Sequence, residues 1–144
     1  WLGLVGLVDC VTHSEFLDCL TLWTTVEPYS GYPAETIAWR LVPAFENGGY
    51  KVWYNENGSC RGFATWAWMT DEEFETREYS GKEIFARGSG DKFVFVDMIA
   101  KGGRSDVLYI SRELRKFFKQ EFPDLEKAWS HRGPRTGWYP NKGG

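Results

Sequence analysis

The chain has 144 residues, which is the size of one domain, and we expect a single domain over residues 1–144. Its hydrophobic content of 42% and aromatic content of 17% are too high for a disordered chain, and they supply a core and an apolar pocket. A formal net charge of −3 argues against a general nucleic-acid binder, which would carry a basic balance or a basic face.

The cysteines and the first residues bear on where the protein works. Cys10, Cys19 and Cys60 cannot all pair within one chain, and none has the CxxC spacing of a metal or redox site. We therefore expect no metal centre and a reducing, cytoplasmic compartment. The apolar stretch 1–8 is too short to span a membrane and lacks the basic residues that precede a signal peptide core, so it is interpreted as part of a buried helix. Because residue 1 is Trp rather than Met, an upstream extension stays open.

Two helices are predicted in the first third of the chain. Thr12 and Glu15 have the spacing of a capping box, which predicts a helix from there to about Trp23. Pro33 is suited to the first turn of a second helix, and Pro43 should end or bend it. The apolar residues of this second helix recur at helical spacing, at Ile37, Leu41 and Phe45.

A β-hairpin is the clearest prediction for the middle of the chain. Two aromatic-rich runs, 50–54 and 62–68, flank the turn 55–59. The Asn57-Gly58 pair in this turn tolerates the positive φ that a hairpin needs. Trp53, Trp66 and Trp68 alternate along the two strands, a pattern that more often builds a core than a ligand pocket.

A short acidic helix, a loop and a buried strand should follow the hairpin. Thr70 and Glu73 repeat the capping-box spacing, and carboxylates in a first turn favour the helix dipole. Glycines at 81, 88 and 90 mark a loop. Residues 93–100 form an almost continuously apolar run, typical of a central strand covered on both faces, in which Asp97 is the exception.

The last third predicts a long amphipathic helix and two short strands. Ser105 is a plausible N-cap, and Pro123 should terminate the helix. One helix face is apolar, formed by Val107, Ile110, Leu114, Phe117 and Phe118. Residues 127–130 and 137–139 are predicted to be closing strands. The order of elements indicates an α+β or α/β-layered fold.

The segment 89–100, Ser-Gly-Asp-Lys-Phe-Val-Phe-Val-Asp-Met-Ile-Ala, closely resembles a characteristic segment of the toxin-activating lysine acyltransferases. In that family, an SGDR/K lead-in precedes a strand that ends in Asp-x-Ile-Ala. Residues 65–67, 41–45 and 122–123 also match the family, in the same order along the chain. The resemblance covers roughly residues 19–130. After Ala100, the usual Pro and aromatic residue are replaced, and only a Gly is kept.

The resemblance implies a GNAT-like acyltransferase fold, with a central twisted, mostly antiparallel sheet flanked by helices that splays to admit an acyl donor. It also implies the transfer of a fatty acyl group from the phosphopantetheine thioester of acyl carrier protein to a lysine of a protein target. No bound cofactor is implied. Such a reaction needs a base for the ammonium and donors for the oxyanion.

A His and an Asp do this work in the family, and only the Asp carries over. Asp97 falls on the family's aspartate, whereas Tyr29 stands where the histidine belongs. A phenol is a poor base at neutral pH but can donate a proton or a hydrogen bond, so either the mechanism differs or the activity is lost. Asp97 as a structural acceptor and Tyr29 as a packing aromatic stay open. His13 is expected to face solvent, although it could approach the site, and His131 is expected at the surface.

The binding site for the acyl donor, here called the donor side, is predicted around the amphipathic helix. Glycines before its N-terminus followed by an Arg can bind a phosphate such as that of phosphopantetheine, and a basic helix face would steer acidic acyl carrier protein. These candidate residues are Gly102, Gly103, Arg104, Arg112, Arg115 and Lys116. An ordinary solvated helix face is the alternative interpretation.

Two other functions remain open at this stage. The chain could be a non-catalytic binding or assembly protein that keeps the fold, because Tyr29 replaces the family's histidine. It could also be a GNAT-type N-acetyltransferase that uses acetyl-CoA, although a full Gly-rich pyrophosphate loop is missing. Neither nucleic acid nor a membrane span is expected, and association into a homodimer is left open.

Overall fold

The computed structural model describes residues 2–27, 29–77, 82–86, 88–132 and 135–140, with side-chain surroundings for residues 13–27, 29–77, 83–86 and 88–130. Four α-helices and five β-strands are present in these ranges. They are α1 (Leu2–Thr25), α2 (Ala34–Glu46), β1 (Tyr50–Tyr54), β2 (Cys60–Met69), α3 (Asp71–Thr76), β3 (Lys92–Ala100), α4 (Arg104–Glu121), β4 (Lys127–Arg132) and β5 (Arg135–Pro140). Short 3-10 turns occupy Tyr29–Gly31 and Lys82–Phe85.

The strands form one sheet in the order β1-β2-β3-β4-β5, and every neighbouring pair is antiparallel except β3 with β4. Helices α1 and α2 pack against one face of the sheet through a cluster that includes Trp23, Leu41 and Phe63. Helix α4 packs against the other face through Ile110 and Phe118. The predicted α+β fold with a mostly antiparallel sheet flanked by helices is confirmed.

Helix α1 is longer than the sequence predicted. It begins at Leu2 and ends at Thr25, so the prediction that Thr12 and Glu15 cap its start is wrong. Because residues 2–11 already continue the helix, the amides after Thr12 are paired within it, and no free N-terminus is left to cap. Glu15 instead accepts a hydrogen bond from the Tyr50 hydroxyl at 3.1 Å. Stretch 1–8 lies outside the residues with described side chains, so its predicted burial stays a prediction.

Helix α2 follows its prediction closely. Pro33 is the N-cap, just before the predicted first turn, and Pro43 lies inside the last turn of a helix that ends at Glu46. Ile37 and Leu41 are buried as the helical spacing indicated. Within the described ranges, no helix has the length and apolar character that a membrane span requires.

The hairpin and the acidic helix are confirmed in detail. Strands β1 and β2 pair across the predicted turn, in which Gly58 has a φ of +88°. At the start of α3, the Glu73 amide donates to the Thr70 hydroxyl and the Thr70 amide donates to the Glu73 carboxylate, at 3.1 and 3.0 Å. This is the complete capping box that the sequence predicted.

The start of α4 differs from its prediction. Gly103 rather than Ser105 is the N-cap, because the Asp106 carboxylate turns back to accept from the Gly102 amide at 2.8 Å. The same carboxylate accepts from Arg61 Nε at 2.8 Å, which ties the turn before α4 to strand β2. Val107, expected on the buried face, is 38% exposed. The helix ends at Glu121 before Pro123, as predicted.

Helix α4 approaches the sheet closely at Gly62. A Cβ atom at this position would overlap the Ile110 side chain and would lie 2.6 Å from the Ile99 carbonyl oxygen. A residue without a side chain is therefore what lets α4 lie flat on the sheet here. This contact also fixes the position of the α4 N-terminus relative to the end of β3.

A β-bulge in β3 decides which way Asp97 points. Thr65 pairs with Asp97 and Trp66 pairs with Phe95, so Val96 is an extra residue in the ladder. Regular alternation would put Asp97 on the same face as Phe95, which packs with α4. The extra residue turns Asp97 to the opposite face, towards α1 and α2.

The contact between β3 and β4 is short. Val94 pairs with Trp129 and Phe95 pairs with Ser130. Among the described residues, the half of β3 after Phe95 has no strand partner on that side, because β4 diverges from it. This separated half of β3 borders the cleft described next.

Candidate active site

Asp97 is held by an arginine that the sequence analysis did not single out. Arg40, on α2, donates from Nη1 to Asp97 Oδ1 at 3.0 Å. The Asp97 side chain is 5% exposed and the Arg40 side chain 29% exposed, so the acid is enclosed while the guanidinium still reaches solvent. Asp97 Oδ2 is also buried, and it has no hydrogen-bond partner among the described residues.

Burial controls the protonation of Asp97. It raises the pKa of this carboxyl to about 6, and the charge and hydrogen bond of Arg40 act in the opposite direction by lowering it. Withdrawal from water disfavours the charged form, whereas an adjacent cation favours it. The Asp97 carboxyl is thus mostly ionised at neutral pH, and it becomes protonated as the pH falls through about 6.

Tyr29 lies in the 3-10 turn after α1, close to Asp97. Its hydroxyl donates to the Met98 carbonyl oxygen at 3.3 Å, a long hydrogen bond. Its ring packs against Trp23 and Tyr32, with centroids 6.3 and 6.1 Å away. Burial raises the pKa of Tyr29, and the negative charge of Asp97 raises it further. At neutral pH Tyr29 is therefore a neutral hydrogen-bond donor rather than a base.

A cleft of about 720 Å³ lies between the end of α1, the Tyr29 turn, the separated half of β3 and the start of α4. This volume is in the range of small-molecule sites. Asp97 is not among the lining residues, so it lies behind the cleft wall. The lining residues are Thr25, Val26, Glu27, Tyr29, Met98, Ala100, Lys101, Gly103, Arg104 and Val107.

The predicted donor-side residues divide into two groups. Gly103 and Arg104 line the cleft, and Gly102 lies beside them with its amide already donated to Asp106. The remaining cations follow the exposed side of α4 and do not line the cleft. They are Arg112, Arg115 and Lys116, of which Lys116 pairs with Glu113 at 3.2 Å.

His13 does not replace the missing histidine. His13 is exposed on α1, ten residues before Trp23, the residue that packs against Tyr29. Ten residues correspond to about 15 Å along a helix. The His131 side chain lies outside the described surroundings. The polar side chains that line the cleft are those of Thr25, Glu27, Tyr29, Lys101 and Arg104.

Arg40 and Glu27 are the two residues that sequence reasoning missed. A signal for Arg40 was present, because α2 carries no other Lys or Arg and a buried Asp97 needs a cationic or donor partner. Arg40 also borders a second hollow of about 270 Å³, which Glu35, Thr36 and Trp39 line. For Glu27, the signal was its position two residues before Tyr29.

A sizeable cleft beside a buried acid with a raised pKa is characteristic of enzyme sites. The model of the RTX toxin acyltransferase family matches residues 12–134. The chain therefore belongs to the RTX toxin acyltransferase family, and the resemblance stated from its sequence is confirmed. No curated protein matches the chain.

Proposed function

We propose that the protein is a protein-lysine acyltransferase that takes a fatty acyl group from acyl carrier protein. Membership of an acyltransferase family supports a transferase, and the family name supports a role connected with RTX toxins. The observation that carries the proposal is the cleft of about 720 Å³ at the separated half of β3, with the Tyr29 phenol in its wall. In this proposal, the thioester enters where β3 and β4 diverge.

In the proposed reaction, Tyr29 stabilises the developing oxyanion. Its raised pKa keeps the phenol neutral, and its long hydrogen bond to the Met98 carbonyl can be exchanged for one to substrate. Oxyanion donors act on charge that develops in the transition state. Asp97 lies behind the wall and contributes its charge, which helps to keep the Tyr29 proton in place.

The donor side of the proposal rests on charge. Acyl carrier proteins are acidic, and a basic exposed face on α4 would attract them. Arg104 and Gly103 in the cleft wall would meet the phosphopantetheine phosphate. We place the reaction in the cytoplasm, in keeping with the free thiols of Cys19 and Cys60.

Replacing the Tyr29 hydroxyl tests this proposal. We expect Tyr29→Phe to lower kcat for acyl transfer from acyl carrier protein by about 10²-fold, because one oxyanion donor is lost. Release of the carrier thiol and the mass of the acylated product would be measured. Tyr54→Phe is the matched control, since its hydroxyl donates to Asp18 at 2.7 Å and Tyr54 is not among the residues that line the cleft.

The donor class is decided in the same assay. Wild type incubated with acyl carrier protein thioester and with acetyl-CoA should use only the first. Turnover of acetyl-CoA alone would indicate a GNAT-type N-acetyltransferase. Absence of turnover with both donors would reject both enzymatic functions.

A non-catalytic binding role is the second candidate, and one observation favours it. Asp97 is paired with Arg40 and enclosed, while Tyr29 stands at the family's histidine position, so no group of the family pair acts as a base in the cleft. Under this function, the protein binds acylated carrier protein and leaves the thioester intact. Gain of activity in Tyr29→His, from an inactive wild type, would support it.

A further inference from the structure

Amide formation from a lysine requires a group that removes a proton from the ammonium. Neither predicted site residue can do this from its position. Asp97 Oδ1 accepts a hydrogen bond from Arg40, and Oδ2 is buried away from the cleft. The Tyr29 hydroxyl carries its own proton at neutral pH and donates a hydrogen bond to the Met98 carbonyl oxygen.

Glu27 is the carboxylate that the cleft does offer. Among the described lining residues, it is the one acidic side chain. Its Oε1 accepts a hydrogen bond from the Ser30 hydroxyl at 2.7 Å, which fixes the carboxylate beside the turn that carries Tyr29. Glu27 is exposed, so an incoming amine can reach it.

The cleft is also polarised along its length. Glu27 lies at the α1 end, and Lys101 and Arg104 lie at the α4 end. A cationic acceptor is attracted to the first end and an anionic donor group to the second. The two substrates would then meet near Tyr29, between these ends.

We propose that Glu27 binds the acceptor lysine ammonium and takes its proton, an inference that rests on the proposed acyltransferase function. The freed amine attacks the thioester carbonyl, forming the C–N bond. The attacking nitrogen loses its second proton to water, collapse of the tetrahedral intermediate breaks the C–S bond, and the carrier thiolate receives the proton from Glu27. The products are an amide, a thiol and one proton released to solvent, with Glu27 again ionised.

The test compares two acceptors in wild type and in Glu27→Gln. One acceptor is a lysine derivative with a free side-chain amine, and the other is hydroxylamine, which is largely unprotonated at pH 7.5. We expect Glu27→Gln to lower kcat/KM with the lysine by about 10²-fold and to leave the rate with hydroxylamine near that of wild type. Glu35→Gln, an exposed carboxylate outside this cleft, is the control.

The outcomes separate the inference from the proposed function. Equal losses with both acceptors, or no loss with lysine, would overturn the role of Glu27 while leaving acyl transfer intact. Wild type that acylates hydroxylamine but never the lysine derivative would also overturn it. Wild type that cleaves the thioester with neither acceptor would reject the proposed function and this inference together.

Discussion

At the scale of single residues, Asp97 shows how a buried charge is tolerated at one edge of a core. Arg40 satisfies one of its oxygens, whereas the other oxygen and the neighbouring Thr65 hydroxyl are buried without a hydrogen-bond partner among the described residues. Buried polar atoms in this condition cost free energy. The burial of Asp97 therefore lowers the free energy of unfolding, which is common at positions where a side chain has a chemical role.

Asp97 should make stability depend on pH. Its pKa in the folded protein, about 6, is above its ordinary value of 3.8. The protonated Asp97 carboxyl therefore makes its full contribution to the free energy of unfolding below about pH 4. This contribution, up to about 3 kcal/mol, is lost as the pH rises through about 6. We expect Asp97→Asn to remove this decline, measured as the free energy of unfolding in urea between pH 4.5 and 7.5.

The measurement has a clear contrary result. Parallel pH profiles for wild type and Asp97→Asn would mean that the carboxyl titrates normally in the folded protein. Asp71→Asn is the matched control, because Asp71 is 81% exposed although it pairs with Lys92. Its profile should remain close to that of wild type.

At the scale of elements, the contact of α4 with the sheet depends on Gly62. We expect Gly62→Ala to destabilise the protein by about 1–3 kcal/mol, because the added methyl group meets Ile110 and the Ile99 carbonyl. Urea denaturation would measure the change. Gly31→Ala is the control, since a Cβ there meets nothing within 4 Å. Equal stability of the Gly62 variant and wild type would show that α4 shifts without cost.

Elements set by local patterns were predictable from the sequence, and those set by distant contacts were not. The hairpin, the Thr70 capping box and the apolar run of β3 follow from residues close in sequence. The start of α4 depends on Asp106 reaching back to Gly102. The Arg40–Asp97 pair joins residues 57 apart and needs the bulge at Val96, which no periodicity indicates.

At the scale of the whole molecule, the charge is unevenly distributed. The chain has a net charge of −3, yet the exposed side of α4 carries Arg112, Arg115 and Lys119. A local basic surface on an acidic protein orients a charged partner as well as attracting it. The overall charge alone gave no indication of this surface.

This surface predicts a salt-dependent reaction. We expect the double variant Arg112→Glu, Lys119→Glu to raise KM for acylated carrier protein by about tenfold, since rim charges act mainly on association. The effect should shrink at high ionic strength. With an acyl-pantetheine thioester that lacks the carrier protein, the variant should match wild type. An equal KM change for both donors would place the effect in the cleft rather than on α4.

The bulge at Val96 has an evolutionary consequence. Because Thr65 pairs with Asp97 and the adjacent Trp66 pairs with Phe95, a β3 without Val96 would be a regular strand in which Asp97 keeps its direction. If Val96 instead took the place of Asp97 opposite Thr65, the ladder would also be regular, but the carboxylate would turn towards Phe118 and the aromatic cluster under α4. We therefore expect the loss of Val96 to be tolerated and a slip in pairing not to be, so the partner of Asp97 is inherited more strictly than the length of β3.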